Sequence, residues 1–417
     1  MSQSARGQTG WPGSGSALAE LRGQIKHPLA GRTILQILPE LNSGGAEQAT
    51  IDIAAALAAV GARALVASAG GRLVSELQAN GGIWQPFPAQ SKNPLAMLIN
   101  QRRLAELIRA EGVSLVHARS RAPAWVAYGA TRRTKTPFVT TFHGAYSGSS
   151  TFKLRYNSIM AKGDRVIANS AFTAARIARL YPFAAENIKI IERGIDLRAF
   201  NPGDVDPARV QALRQAWQIA PGERIILLAA RLSPRKGHKI LIEAAQRLLA
   251  DGFTDAKFIF AGDVQGHNAY LKDLDAMIAK AGLTNFVRRT GHCADMPAAL
   301  LAAALVVVPS TEPETFGRVA AEAQAIGTPV VMSDLGAAPE VVLAPPEVAE
   351  EARTGWRVPS GDAHALAQAI RAALDLGATA RDALSGRART HVLHRFSVAR
   401  MQTETLAAYA ALLARPA

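Results

Sequence analysis

Cysteine is nearly absent from this chain of 417 residues: Cys293 stands alone, so no intrachain disulfide can form and the fold has to be held by packing. Long apolar runs are missing too. The longest, from Ala298 to Val308, is about half of the roughly 20 residues that a helix needs to cross a bilayer core. The N-terminus lacks an apolar signal core, and residues 1–32 read as a disordered segment whose first part, MSQSARGQTGWPGSGS, is rich in glycine and serine. These absences set the expected location as cytoplasmic. Histidine and cysteine never cluster at ligand spacing, which argues against a zinc site. Asp273-Leu274-Asp275 spells an Asp-x-Asp metal motif but lies in an evident helix, where positions i and i+2 point about 200° apart. Asp204-Val205-Asp206 falls in a proline-flanked linker. No metal and no cofactor are expected.

Acidic residues are locally absent as well. Between Gly112 and Gly163 there is no Asp or Glu, while Arg119, Arg121, Arg132, Arg133, Lys135, Lys153, Arg155 and Lys162 all fall there. A block of one sign makes a local positive field, on a chain whose formal net charge is +14. The partners this favours are anions: nucleotide phosphates, an anionic glycolipid or saccharide, or an anionic membrane face. Nucleic acid is disfavoured, because the block has few aromatics for stacking bases and no helix-turn-helix or zinc signature accompanies it.

What the chain does have is size and rhythm. Apolar residues make up 49% and charged residues 19%, enough for substantial cores, and the length favours two domains. Short β-rich runs alternate with Ala/Leu-rich helical patterns. Strands are expected at 33–38, 64–68, 113–117, 138–142, 165–168 and 188–191, and the rhythm restarts with 224–229, 257–261, 286–289, 305–309, 329–333 and 355–358. Such alternation predicts an α/β chain with two doubly wound, Rossmann-like domains facing across a cleft. The turn signals Asn201-Pro202-Gly203 and Pro221-Gly222 place the boundary near residue 200. The expected division is 33–200, 201–395, and a final segment 396–417 whose helix can pack on either domain.

Four motifs sit where strands end. In Leu38 to Glu47, Gly44 and Gly45 turn the chain into a helix whose free N–H groups suit an anion, although a tight turn that binds nothing reads the same way. In Ala230 to His238, Arg231 and Lys236 lie five residues apart across a turn. They can converge on two phosphates and stabilise the charge on a departing diphosphate. In Pro309 to Ala323, Glu314 lies in the loop and Glu322 on the helix after it. Carboxylates accept paired hydrogen bonds from a vicinal diol, as ribose and hexose offer. Acids favoured by a helix dipole explain Glu314 but not Glu322. In Thr140 to Gly144, His143 can bind a sugar hydroxyl, act as acid or base, or be a loop histidine.

These motifs, in this order, resemble the family 4 retaining glycosyltransferases of the GT-B fold. The most specific element is the Glu-x7-Glu pattern, Glu314 to Glu322, within PSTEPETFGRVAAEAQAIGTPVV. It is joined by SGGAE, TFHG, RGID, ARLSPRKG, DLGAAPE and TGWRV. The resemblance implies hexose transfer from a nucleotide diphosphate sugar, UDP- or GDP-linked, with retention and without a metal. Arg231 and Lys236 would hold the diphosphate, and Glu322 the ribose diol. Glu314, with the amides of Phe316 and Gly317, would touch the donor sugar. His143 would meet that sugar near its C6 hydroxyl, and Gly44 and Gly45 would line the donor–acceptor junction. The final helix would cross back onto the first domain. The run HARSRAPAW is similar to transferases of Gram-negative lipopolysaccharide core assembly, with capsule or exopolysaccharide transferases as the alternative. That places Arg119, Arg121, Lys153 and Arg155 on the acceptor or membrane side, on the inner face of the inner membrane. A nucleotide-sugar epimerase is the competing enzyme class. Three positions depart from the family's pattern: Arg193 replaces a common Asn, while Val264 and Ala337 replace glycines.

Overall fold

The computed structural model describes residues 27–42, 44–144, 150–264, 266 and 268–414. Thirteen strands are found among them. The first seven are β1 (Thr33–Ile37), β2 (Arg63–Ser68), β3 (Ile83–Pro86), β4 (Val113–Ala118), β5 (Phe138–Phe142), β6 (Arg165–Ala168) and β7 (Ile188–Ile190). They form one sheet in the order β3-β2-β1-β4-β5-β6-β7, with every pairing parallel. The remaining six are β8 (Arg224–Ala229), β9 (Ala256–Ala261), β10 (Val287–Gly291), β11 (Leu305–Val308), β12 (Val330–Ser333) and β13 (Trp356–Val358). Their sheet runs β10-β9-β8-β11-β12-β13, again parallel. The expectation of two Rossmann-like sheets is borne out. Strand β3 escaped the sequence reading because it is a short sheet edge, exposed at both ends, that offers no apolar run.

Helices cover the sheet faces, as parallel strands require. On the first domain they are α1 (Gly45–Ala59), α2 (Val74–Ala79), α3 (Pro94–Ala110), α4 (Arg121–Thr134), α5 (Thr151–Asn157) and α6 (Ala171–Leu180). On the second they are α7 (Pro207–Ala216), α8 (His238–Ala250), α9 (Asn268–Lys280), α10 (Met296–Ala302), α11 (Arg318–Ile326), α12 (Ala338–Val341), α13 (Ala363–Leu374) and α14 (Ala378–Arg395). Several starts are capped in the way their sequences dictate. Asn93 accepts from the amides of Leu95 and Ala96 ahead of Pro94, and Asp206 accepts from Ala208 ahead of Pro207.

The last helix, α15 (Val398–Leu413), returns to the first domain. Its Met401, Tyr409 and Leu412 share a core with Leu38, Ile51, Ile53 and Leu57. Tyr409 is wholly buried, and its hydroxyl meets Nδ1 of His117 on β4 at 2.5 Å. Residues 1–26 of the N-terminal segment read as disordered lie outside the described residues. For residues 27–32 that expectation is corrected: they form a turn closed by Ala30 N to His27 O at 2.8 Å, with Leu29 wholly buried. Leu29 in the core and two backbone bonds to the next segment, Gly31 N to Gly61 O at 2.8 Å and Arg63 N to Arg32 O at 2.9 Å, hold the stretch in place.

Both sheets carry their topological switch beside the first strand, between β1 and β4 and between β8 and β11. A crevice opens at the carboxyl ends of such strands because the neighbouring connections diverge to opposite faces. All four motifs leave strands at these ends, so the fold brings together residues from four separate loops.

Candidate functional site

The cleft between the domains encloses about 840 Å³. From the first domain it is lined by Gly45, Glu47, Arg121, His143, Gly144, Arg176 and Arg193, and from the second by Arg231, Arg235 and the run Glu312 to Arg318. Six arginines thus face one cavity with three glutamates.

The second-domain wall is held by close backbone contacts. Gly237 has φ +72°, and a Cβ there would stand 1.7 Å from the carbonyl oxygen of Pro309. Gly336 has φ +70°, and a Cβ would stand 2.2 Å from the carbonyl oxygen of Glu314. Only glycine allows both the conformation and the approach. The amide of Ala337 donates to that same carbonyl at 2.8 Å, which pins the Glu314 loop. Ala337 itself sits at φ −85°, so it has no need of glycine and its departure from the family pattern is structurally neutral. Gly317, at φ +83°, starts α11 beneath Met332.

Lys236 and Glu314 form an ion pair of 2.5 Å, and Ser310 donates to the same carboxylate oxygen at 2.7 Å. Burial alone would raise the Glu314 pKa. The charge of Lys236, its hydrogen bond, that of Ser310 and the charge of Arg235 outweigh burial and hold it below the usual carboxylate value. Lys236, Glu314, Gly317 and Arg318 also line a smaller recess of about 120 Å³ that opens from the cleft along β8 and β11. Arg231 stays exposed on the cleft side.

Glu322 does not lie on the cleft surface. It is 4% exposed, and Arg318, one turn before it, covers it with Nε 2.6 Å from Oε1. Burial raises its pKa and Arg318 offsets part of the rise. Phe316 is also buried, packed edge-on against Phe396 at 5.1 Å, so only its backbone can serve a ligand.

On the first domain, His143 follows β5 and is half-buried. Arg193 donates to its Nδ1 at 2.8 Å, which leaves the proton on Nε2, a buried nitrogen with no hydrogen-bond partner among the described residues. Burial, then the charges of Arg193 and Arg119, depress its pKa well below the ordinary histidine value, so it is a neutral donor near pH 7. Arg193, the most prominent departure from the family pattern, thus lines the cleft and sets the tautomer of His143. Its Nη1 would lie 2.0 Å from a Cβ at Gly45, so a side chain there would push the guanidinium aside. Gly44 takes φ +139° at the start of α1, with Glu47 folded over it. Ser43 of that motif lies outside the described residues.

The basic candidates divide. Arg121 lines the cleft and donates to Asn157 Oδ1 at 2.9 Å. Lys153 and Arg155 stand exposed on α5, away from the cleft lining. Arg119 does neither: its placement on the acceptor or membrane side is corrected. It is 4% exposed, and its guanidinium grips Gln36 Oε1 at 2.8 and 2.5 Å beneath the sheet's carboxyl edge. Strand β4 ends at Ala118 and α4 begins at Arg121, so Arg119 follows directly on the buried strand while Arg121 opens the helix at the cleft. Asp273 and Asp275 are exposed on α9 in ion pairs with Lys239 and Arg289.

Sequence reasoning assigned no role to Arg176 or Arg318, because lone arginines on helices carry no pattern, nor to Arg235, which lies between Arg231 and Lys236 on the loop after β8. It also passed over Glu340, whose carboxylate crosses from the second domain to accept from the amides of Ala171 and Phe172 at the start of α6, both at 2.8 Å. Thr315 adds two further cross-domain bonds, one from Asn169 and one to the carbonyl of His143, both 3.3 Å.

The families described as "Glycosyltransferase Family 4" and "Glycosyl transferases group 1" match residues 43–199 and 210–391 respectively. A solved glycosyltransferase from Rickettsia africae is 33% identical, with a TM-score of 0.83, over 93% of this chain and all of that one. The Anabaena protein HepE, solved in complex with UDP and glucose, is 28% identical, with a TM-score of 0.77, over 91% of this chain and all of that one. Among curated proteins, the D-inositol 3-phosphate glycosyltransferase 1 of Catenulispora acidiphila is 34% identical over 225 residues, 52% of this chain. The chain spans about half the length of the curated relatives it matches. No helix of the described residues is long and apolar enough to cross a membrane, and no group of three metal-ligating side chains occurs among them.

Proposed function

This chain belongs to the glycosyltransferases of the GT-B architecture, and on that premise we propose that it moves a hexosyl group from a UDP-linked donor to an anionic acceptor, with retention and without a metal. The observation that carries the proposal is the 840 Å³ cleft in which arginines of both domains meet Glu314 and neutral His143. A nucleotide diphosphate brings two phosphates, for which Arg231, Arg235 and Lys236 on one loop suffice. Fixed cations there stabilise the charge that grows on the departing diphosphate. The Nε2–H of His143 offers a hydrogen bond to a sugar hydroxyl, and Glu314 accepts from another. Retention follows if the acceptor attacks the face from which the diphosphate leaves. The UDP and glucose in the HepE structure support a UDP-linked hexose for this chain.

On the first domain, Arg121, Arg176 and Arg193 line the same cavity and suit an acceptor that carries negative charge. A lipopolysaccharide core glycolipid is the acceptor class we favour. Exposed Leu95, Leu98 and Ile99 on α3 stand with exposed Lys92, Arg102 and Arg103, and Phe152, 81% exposed, stands with Lys153 and Arg155. Apolar side chains ringed by cations suit the face of an anionic bilayer. The names of the curated relatives favour a second reading, a phosphorylated polyol in solution.

Thermal shifts with UDP, GDP, ADP and CMP, with and without EDTA, test the donor. A ligand at 100 times its dissociation constant adds about 2.7 kcal/mol. UDP stabilisation that survives EDTA is expected, and its absence for every nucleotide overturns the reading. Sedimentation with anionic vesicles at low salt separates the two acceptor classes: a membrane-facing transferase co-sediments and a polyol transferase stays in solution.

A further inference from the structure

Arg318 is placed against ordinary helix electrostatics. It is the first residue of α11, where the partial positive charge of the helix end disfavours a cation. What keeps it there is Glu322, 2.6 Å away and buried. Glu322 is also the carboxylate assigned to the donor ribose. A ribose diol and a guanidinium cannot share its few acceptor positions fully, so an arriving ribose has to displace Arg318 at least in part.

The structure shows where a displaced Arg318 can go. Arg318 also lines a second cavity, of about 270 Å³, which shares Gly45 and Arg193 with the cleft. Its lining includes α1 of the first domain, with Asp52 facing the same space, and Arg193, Gly194 and Asp196 from the segment between β7 and α7. Asp52 is half-buried and accepts from Gln48 at 3.5 Å. Its carboxyl is pushed up to about 6, first by burial. Gln48 and the charges of Arg318 and Arg119 work against the rise, and Asp196 adds to it. A desolvated carboxylate kept beside a cleft costs stability, and such groups concentrate at working sites. One arginine therefore stands between two desolvated carboxylates that belong to different domains.

We infer that Arg318 is a two-position counter-ion: it neutralises Glu322 while the donor site is empty and turns to Asp52 when a ribose takes Glu322, drawing the domains together over the donor. The inference rests on the donor reading above. Arg318 and Asp52 act as positioning residues. Neither needs to touch the sugar, and donor occupancy itself becomes the signal for closure, because the ligand's differential contact with Glu322 releases the cation.

Wild type, Asp52→Asn, Arg318→Met, Arg318→Lys and Glu322→Gln are compared by calorimetric titration with UDP and GDP, by small-angle scattering with and without the nucleotide bound, and by donor turnover. Wild type is expected to contract on binding. Asp52→Asn is expected to bind the nucleotide within about threefold of wild type yet not contract, with kcat reduced about tenfold or more and donor KM little changed. Arg318→Met is expected to fail in contraction likewise, and Arg318→Lys to recover part of kcat, which loss of folding alone does not produce. Asp52→Asn that contracts and turns over like wild type overturns the inference. So does Arg318→Met that no longer binds nucleotide, since Arg318 is then a direct ligand. If wild type binds neither nucleotide, the donor reading fails and takes the inference with it. If Glu322→Gln binds as well as wild type, the ribose lies elsewhere and displacement of Arg318 has no cause.

Discussion

Lys236 and Glu314 are 78 residues apart in sequence, and their side chains meet at 2.5 Å on the wall of the cleft. Each comes from a loop at the end of a central strand, β8 or β11, so the pair exists only because those strands are neighbours. Lys236→Met leaves Glu314 buried without its main cation. Loss of kcat/KM of about 100-fold or more is expected, by analogy with deletion of a fixed charge from a transition-state site. The sign of the pH effect is set by the depressed Glu314 pKa. Stability from the pair is present above the ordinary value of 4.5 and is lost as pH falls through the lower folded value. Melting curves should therefore show a deficit for Lys236→Met at pH 7 that shrinks at about pH 3. An equal deficit at both pH values contradicts the assignment.

His143 should stay neutral across the range in which histidines usually titrate, because burial and the charges of Arg193 and Arg119 oppose a second proton. Nitrogen NMR of the ring should report the Nε2–H tautomer from about pH 5.5 to 8. The rate profile should show no limb that His143→Asn abolishes. A titration near the ordinary value would mean that Arg193 does not sit on Nδ1.

Gly336→Ala tests the loop that carries Glu314. A Cβ there meets the Glu314 carbonyl at 2.2 Å, at a φ of +70° that alanine disfavours. Destabilisation of about 1–3 kcal/mol is expected from the backbone alone. Nucleotide affinity should weaken in the fraction that folds, read by calorimetry. Ala337→Gly is the control: at φ −85° it should leave nucleotide affinity unchanged.

Tyr409→Phe tests the return of α15 to the first domain. It removes the hydroxyl that meets His117 and leaves that nitrogen buried without a partner. A loss of about 1–3 kcal/mol is expected in denaturant melts. Burial pushes the Tyr409 hydroxyl up to about 12, so it stays protonated and the loss should not depend on pH between 6 and 9.

Asp52→Asn has a separate consequence for stability. The folded pKa of about 6 exceeds the ordinary 3.8, so the folded state holds the proton more tightly than the unfolded chain. Stability then falls as pH rises between these values, and the burden is fully present above them. Asp52→Asn should raise the melting temperature at pH 7.5 and leave it unchanged at about pH 3.5. No gain at pH 7.5 would mean that Asp52 is better solvated than its position implies.

The two parallel sheets were legible because their strands are apolar on both faces and the helices between them repeat at their own period. Runs such as Ile225-Ile226-Leu227-Leu228 and Leu305-Val306-Val307-Val308 admit few other readings. Strand ends were legible for the same reason, and with them the loops that carry Gly45, His143, Arg231, Lys236 and Glu314. Individual arginines were harder. Nothing local distinguishes Arg119 from Arg121, yet one lies under the sheet on Gln36 and the other lines the cleft. Arg318 reads as a surface cation on an amphipathic helix until the fold places it between Glu322 and α1.

The sequence by itself determined the alternation of strand and helix, the places where loops gather, and the types of group available there, since these follow from local hydrophobic period and turn chemistry. Only the tertiary structure decided which charges share an ion pair, which carboxylate is exposed and which is covered, and that Glu340 and Thr315 work across the domain boundary. Those outcomes depend on distances of a few ångströms between segments remote in the chain. The free energy of a charge is set by the burial and the partners found there, and neither is written in its neighbours along the sequence.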